Sequence, residues 1–373
     1  MNSSSAPPPT SGVKYIGSKA ALIHEILSFV SEHCPSSAPK TIIDVFTGTT
    51  RVAQAFRAKG WTVTSSDLSW ASEAYAHAFL LRTPDSSARI PALITELKHI
   101  MDTDIPGQEP GWIETSYCDV TTPEGGIVRM WKPVNGRKAD RVRESIASWL
   151  SSGKITEHES MILVAILIFA LDKVDSSVGV QQAYLKTWAA RASNPIQLED
   201  LPYPDGPTAA NHIVGNALEI EYPAASVAYI DPPYSPHSYA TYYHIWDSIT
   251  RWDKPAVGLK TNRRLDRVSG SDSFDTTMAS AWNSKKEALH AFLQLVKRLP
   301  VQYIVISYND ESIVPLEKLE VALKELDCVK EMSIKYIPYK RNIMCQIGNA
   351  AEKGEDAKKE NKEVLIWLEK KVC

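Results

Sequence analysis

Asp231 closes the apolar run "VAYI" (Val227–Ile230) and is followed at once by Pro232, Pro233 and Tyr234. This order of groups suits one kind of reaction. The exocyclic amine of a nucleobase is a poor nucleophile because its lone pair is delocalised into the ring. Two acceptors aimed at its N–H groups draw the nitrogen toward a tetrahedral, nucleophilic state. Asp231 offers one acceptor and the Pro232 carbonyl the other. The Pro-Pro unit, with fixed φ and no N–H of its own, holds both in place ahead of the reaction, which is electrostatic preorganisation. Tyr234 can stack on the base face, as aromatic side chains do with splayed bases. The plainer reading of the same residues is a turn that ends a strand.

A second constellation is "DVFTGTTRVA" (Asp44–Ala53), which follows a strand and opens a helix. Gly48 allows a tight turn and close approach of a ligand, and the helix start offers unpaired N–H groups. Asp67 ends the next strand, where a ribose-binding carboxylate is expected about 20 residues on. A dinucleotide would favour a GxGxxG fingerprint, which is missing; a nucleoside cofactor without a pyrophosphate needs no such cradle. The plainer alternative is a strand–helix turn with a capping acid.

The elements that must position these groups read as a nucleotide-type α/β fold. "SKAALIHEILSFVSEH" (Ser18–His33) has apolar residues at helical spacing, with Ser18 as candidate N-cap. "TIIDVF", a turn and helix closed by Gly60, and "WTVTSSD" form a βαβ unit. From about Trp70 to Asn211 the pattern changes to helices with long polar connections, among them Arg141–Leu150 and Glu157–Val174. The strand–helix rhythm returns with "HIVGNALEI", "VAYIDPPY", a helix at Ser284–Leu299, the strand Val301–Tyr308 and a helix at Leu316–Leu326. Two final strands, around "EMSIKYIPY" and "EVLIWLEK", flank the charged "AAEKGEDAKKENKE", which reads as a mobile loop of a hairpin. The expected architecture is a Rossmann-like, mostly parallel sheet with an antiparallel final hairpin. Residues 1–12 read as a disordered tail, 13–80 and 211–373 as one split domain, and 81–210 as a helical insertion.

Composition bounds the rest. The chain has 373 residues, 44% hydrophobic and 23% charged, with net charge −3, so any polyanion surface must be local. Two basic clusters qualify: Lys132, Arg137, Lys138, Arg141 and Arg143, and then Arg251, Lys254, Lys260, Arg263, Arg264 and Arg267. The second includes "GLKTNRR", which reads as flexible. For each residue a solvated surface role competes with phosphate contact. Five scattered cysteines without CxxC spacing point to reduced thiols inside a cell and to no zinc site. The amino terminus has no signal-peptide pattern. "MILVAILIFAL" is too short for a membrane span, which needs about 20 residues, and reads as a core helix.

Four stretches, "KYIGSK" (Lys14–Lys19), "DVFTGTT", "SSDLS" (Ser65–Ser69) and "YIDPPYSPHSYATYYHIWDSITRWDKP", resemble the Dam-like adenine-specific DNA methyltransferases of the α arrangement, particularly those paired with restriction endonucleases. Weaker similarity continues through "IFALDKVDSSVGVQQAYLKTW", so the resemblance covers nearly all of the chain after residue 12. It implies S-adenosylmethionine as methyl donor and the 6-amino group of adenine in double-stranded DNA as acceptor. A cognate restriction endonuclease is a candidate partner, the cytoplasm or nucleoid (the nucleus in a eukaryote) the expected location, and DNA target recognition the role of the helical insertion. Carried over by position, Tyr15 and Lys19 line the pocket near cofactor or base. Asp44 and Gly48 wrap the methionine part, with Phe46 and Thr49 beside them, and Asp67 with Leu68 holds the ribose. Asp231, Pro232, Pro233 and Tyr234 are the catalytic set, with Asp231 also at the cofactor. Lys14, Tyr239, Lys260, Arg263 and Arg264 are candidates for DNA.

One departure is Thr50, where the family often has a second glycine; a β-branched residue is acceptable there if its φ is negative. No cysteine lies near Asp231, so the expected step is direct methyl transfer without a covalent enzyme intermediate. The target base must leave the duplex, and Tyr239, Tyr242 and Tyr243 are candidates to surround it, with a core aromatic role as the alternative for the last two. His244 and Trp246 read as packing. The competing functions are an amino methyltransferase for RNA or cytosine, and a catalytically silent DNA-binding relative.

Overall fold

The computed structural model describes residues 6–103, 105–181, 184–185, 187–203, 209–233, 238–258, 260, 262–268, 271–310, 312–340 and 360–371. The strands are β1 (Thr41–Asp44), β2 (Thr62–Asp67), β3 (Cys118–Thr121), β4 (Ile127–Arg129), β5 (Ala210–Val214), β6 (Ala225–Ile230), β7 (Val301–Asn309), β8 (Val329–Lys340) and β9 (Glu360–Lys370). Seven of them form one sheet in the order β5-β2-β1-β6-β7-β9-β8. The first five run parallel, and β9 is antiparallel to both β7 and β8. This is the expected Rossmann-like sheet with an antiparallel end. From β1 the chain moves outward to β2, and from β6 it moves outward in the opposite direction to β7. The carboxyl ends of β1 and β6 therefore flank a topological switch point, where open α/β sheets hold their ligands.

Alternation along the strands sends side chains to two cores. Ile43, Ala228, Ile230, Ile304, Ile306 and Val364 face the helices Ala288–Arg298 and Leu316–Lys324. Ile42, Val227, Tyr229, Val305 and Leu365 face the helices Ile23–His33 and Arg51–Ala58. A third core joins the helices Ala71–Phe79, Pro84–Asp102, Pro133–Ser151 and Glu157–Lys173. The helix Glu157–Lys173 is buried nearly all round, which accounts for its unbroken apolar run. Among the described residues no helix is long and apolar enough to cross a membrane.

Four local expectations are corrected. Residues 10–12, read as part of a disordered tail, are tied down: Arg51 donates to the carbonyls of Thr10 (2.7 Å) and Gly12 (2.8 Å), and Gln54 exchanges two hydrogen bonds with the Ser11 backbone. Ser18 makes no side-chain cap; a 3-10 turn, Lys19–Leu22, leads into the first helix instead. The interval between β2 and β5 is not purely helical, since β3 and β4 pair as an antiparallel hairpin. The charged stretch before "EVLIWLEK" ends inside β9, which begins at Glu360; the loop expected between β8 and β9 lies outside the described residues.

Candidate active site

The loop after β1 is built on two left-handed residues. Gly48 has φ +51°, and a Cβ there would lie 3.3 Å from the Tyr15 ring. Its N–H donates to Asp67 Oδ2 at 2.7 Å, tying the β1 loop to the end of β2. Asp44 is buried; one carboxylate oxygen accepts from Thr47 Oγ1 (2.8 Å) and Ala53 N (3.2 Å), while Oδ1 has no hydrogen-bond partner among the described residues.

Thr50 overturns the condition under which a threonine was acceptable: its φ is +63°, not negative. A left-handed non-glycine residue costs about 1–2 kcal/mol. Local bonding offsets the strain, because Thr50 Oγ1 accepts from Gln54 Nε2 (2.9 Å) and Thr50 N donates to Thr47 O (2.7 Å). Thr50→Gly exchanges relieved strain for lost chain stiffness and a lost hydrogen bond, so its stability stays within about 1 kcal/mol of the wild type. Thr50→Ala keeps the strain and strips a buried acceptor from Gln54, and is less stable by about 1 kcal/mol. Urea unfolding of both variants measures the difference.

Tyr15 closes the opposite wall. Its ring stacks on Tyr243 at 4.3 Å and tilts against Tyr239 at 5.4 Å. The Tyr243 hydroxyl accepts from Ile16 N (2.7 Å), and the Tyr239 hydroxyl donates to Ile16 O (3.3 Å). Of the three candidate tyrosines, Tyr239 and Tyr243 line the cleft and Tyr242 does not. His244 and Trp246 are buried in packing. At the end of β6, Asp231 Oδ1 lies 3.1 Å from the ammonium of Lys19, whose side chain is 5% exposed. Pro232 and Pro233 line the same cleft; Tyr234 lies outside the described residues.

The cleft holds about 1240 Å³, including solvent at its mouth, and gathers the expected cofactor residues Tyr15, Lys19, Asp44, Phe46, Gly48, Thr49, Asp67, Leu68 and Asp231. It also takes in two segments that the sequence reading missed: Gly215–Ala217 after β5, and Ala279, Ser280, Trp282 and Asn283. Trp282 stands edge-on to Phe46 at 4.9 Å and forms an apolar wall. A short 3-10 turn, Ala281–Asn283, carries it, and three residues give no periodicity to read.

Carboxylates crowd this cleft. Burial, opposed by the Thr47 hydrogen bond and reinforced by nearby Asp231, raises the Asp44 carboxyl to about 7. Burial also raises Asp67 to about 6, against the pull of backbone hydrogen bonds from Ser69 and Gly48. Lys19 pairs with Asp231, but among the described residues Asp44 and Asp67 have no ion pair, so their end of the cleft is suited to a positively charged ligand. Asp44 is protonated in the folded chain below about 7 but ionised in the unfolded chain above the ordinary aspartate range, about 4. Its contribution to stability is therefore lost as pH rises through that window. A bound cation favours the carboxylate, so cation affinity rises with pH through 6–7 and then levels, with proton release on binding. Calorimetry in buffers of different ionisation enthalpy measures that release.

The DNA candidates differ in exposure and pairing. Lys260 is exposed and Arg263 partly buried. Lys14 is held by Asp175 at 2.8 Å and Asp172 at 3.6 Å. Arg264 is no phosphate ligand: its side chain is 2% exposed, bound by Asp253 (2.7 Å) and Asp266 (2.8 Å), and lies over the Trp70 ring. Arg143 and Arg267 are buried too, while Arg137, Lys138 and Lys254 pair with Glu114, Asp102 and Glu144. With Asn262 also buried, "GLKTNRR" is not the free basic segment that its composition suggested.

Residues 15–314 match the family model of D12 class N6 adenine-specific DNA methyltransferases. The chain belongs to this family. "Modification methylase StsI" of Streptococcus sanguinis is 29% identical over 96% of this chain and 52% of its own length. "Modification methylase LlaI" of Lactococcus lactis subsp. lactis is 26% identical over 96% of this chain and 55% of its own length. The chain thus spans about half the length of these two relatives. "Type II methyltransferase M.NlaIII" of Neisseria lactamica is 27% identical over 81% of this chain and 84% of its own length. The family match runs from Tyr15, on the cleft wall, past Asp231 and through β7.

Proposed function

We propose that the protein transfers a methyl group from S-adenosylmethionine to the 6-amino group of an adenine flipped out of duplex DNA, as the modification half of a restriction pair. The observation that carries this reading is Asp231 with Pro232 on the rim of one cleft shared with the Asp44–Gly48 loop. The residues fit the cofactor: the buried Asp44 Oδ1 lacks a partner, the Gly48 backbone leaves room that a Cβ would fill, and Phe46 with Trp282 offers an apolar wall. When bound, S-adenosylmethionine supplies a methyl group on a positively charged sulfur.

The chain does the rest. Asp44 and Asp67 hold cationic and hydroxyl groups. Asp231 and the Pro232 carbonyl accept the two amine hydrogens and orient the lone pair toward the donor. Asp231 serves as acceptor more than as strong base, because the amine becomes acidic only as the new bond forms. Extruding the base costs a few kcal/mol, to be recovered from contacts in the cleft, which Tyr239 lines. Exposed Lys260 is the clearest candidate for phosphate contact, and residues between β2 and β5 are proposed to read the sequence.

The test is incubation with labelled S-adenosylmethionine and duplex DNA, single strands or RNA, followed by digestion to nucleosides. Label in N6-methyladenine from duplex DNA is expected. Label in methylcytosine or in RNA assigns the amine elsewhere, and cofactor binding without label makes the chain a silent relative.

A further inference from the structure

Lys19 creates a difficulty for the proposed chemistry. Its ammonium occupies Asp231 Oδ1 at 3.1 Å and offsets the charge that should act on the amine. An acceptor that is to draw on a weak nucleophile works best when it is not already satisfied. The sheet places a second carboxyl where it can relieve this. Tyr229, Val305 and Leu365 share the core under the helix Ile23–His33, so they point to one face. Asp231 follows Tyr229 by two residues and Glu363 precedes Leu365 by two, so both point to that same face at the sheet's ligand-bearing edge. Glu363 pairs with Asn309 at the end of β7, and Lys19 lies in the turn that leads into the covering helix. Glu363 is 9% exposed, and among the described residues its Oε2 has no hydrogen-bond partner. Such a buried orphan is costly and calls for a reason.

We propose that Glu363 is a positioning residue that takes the Lys19 ammonium from Asp231 when the adenine arrives, leaving Asp231 open to the amine. The proposal rests on the methyltransferase reading above. No bond is made or broken by Glu363; one ammonium exchanges one carboxylate partner for another. The charged and titratable groups around Glu363 are Lys19, Asp231, Asp310 and Tyr229. On β8 its partner is the apolar Ile337, and the nearby Lys335 is held by Glu25 at 2.7 Å. Burial first, then Asp231 and Asp310, raise the Glu363 carboxyl above the ordinary glutamate range, against the pull of Lys19. The exchange therefore strengthens as pH rises and the carboxylate forms.

The experiment compares wild type, Glu363→Gln and Glu363→Asp in single-turnover methylation of mixed-sequence duplex DNA at saturating cofactor, across pH. The wild-type rate is expected to climb as Glu363 ionises. Glu363→Gln removes that climb and is slower on the alkaline side by about ten-fold, the scale on which supporting partners act. Its melting temperature and S-adenosylmethionine affinity stay near wild type, and Glu363→Asp restores part of the climb. A second readout needs no activity: the Glu363 carboxyl midpoint, followed by carbon-13 NMR in the cofactor-free protein, shifts upward in Lys19→Met.

An unchanged midpoint in Lys19→Met, or a Glu363→Gln profile that matches wild type, overturns the proposal. So does a rate that falls only together with stability and cofactor binding. A wild type that leaves adenine unmarked while the midpoint still shifts overturns the functional reading instead.

Discussion

Asp231→Asn lowers single-turnover methylation by about 10²–10³-fold or more while calorimetry still detects cofactor binding. The amide keeps the size of the side chain but removes the negative charge, and half of its polar surface becomes a donor facing another donor. The same change leaves Lys19, 5% exposed, without the carboxylate at 3.1 Å. Lys19 keeps its hydrogen bond to the Gly17 carbonyl (3.3 Å) and has the Glu363 carboxyl at hand, so the melting temperature falls by less than the loss of about 3–5 kcal/mol for an uncompensated buried charge would bring. The discriminating measurement is the ratio of rate to bound cofactor, since unfolding alone lowers both. Near-normal turnover in this variant would move the amine-binding role to another acceptor.

Arg264→Met costs about 3 kcal/mol of stability and leaves the salt dependence of DNA binding unchanged. Removing the guanidinium leaves Asp253 and Asp266 facing each other and takes one cation from the Trp70 ring, which Arg251 and Arg267 also approach. The figure is at the low end for a broken buried pair, because the two aspartates are 34% and 27% exposed and water screens part of the loss. Lys260→Ala gives the opposite pattern: unchanged stability, and a slope of log affinity against log salt that is shallower by about one. Urea titration and DNA binding at several salt concentrations separate the two. A wild-type melting curve for Arg264→Met would show that the buried pairs are worth nothing net.

What the sequence discloses about this site is what short-range backbone chemistry dictates. Pro232 and Pro233 end a strand wherever they occur, and a glycine after an apolar run reads as a close turn, so Asp231 and Gly48 could be placed before any coordinates. Long-range matters were less legible. Arg264 lies in a run of basic residues whose composition says nothing about burial; Asp266 is two residues on, but only the fold brings Asp253 and Trp70 around it. Thr50 looked like a residue that needs negative φ, yet the turn that Gly48 begins carries it into the left-handed region, and Gln54 supplies the bond that keeps it there. Glu363 stands where the charged stretch meets the strand "EVLIWLEK", and the composition there gives no sign that β9 begins three residues earlier, at Glu360. The wall segment with Trp282 left no trace, being a single turn with no period.

The position of β9 between β7 and β8 has a bearing on biosynthesis. That strand leaves the ribosome after both of its neighbours, so until about residue 370 emerges the sheet has a gap, with β7 and β8 each showing a bare edge. Until then Glu363, on β9, is missing from the sheet face that carries Lys19 and Asp231. Long-range pairing of this kind slows folding and exposes edges that invite aggregation. A nascent chain halted before β9 thus holds the Asp44–Gly48 loop already but lacks Glu363 near the Lys19–Asp231 pair.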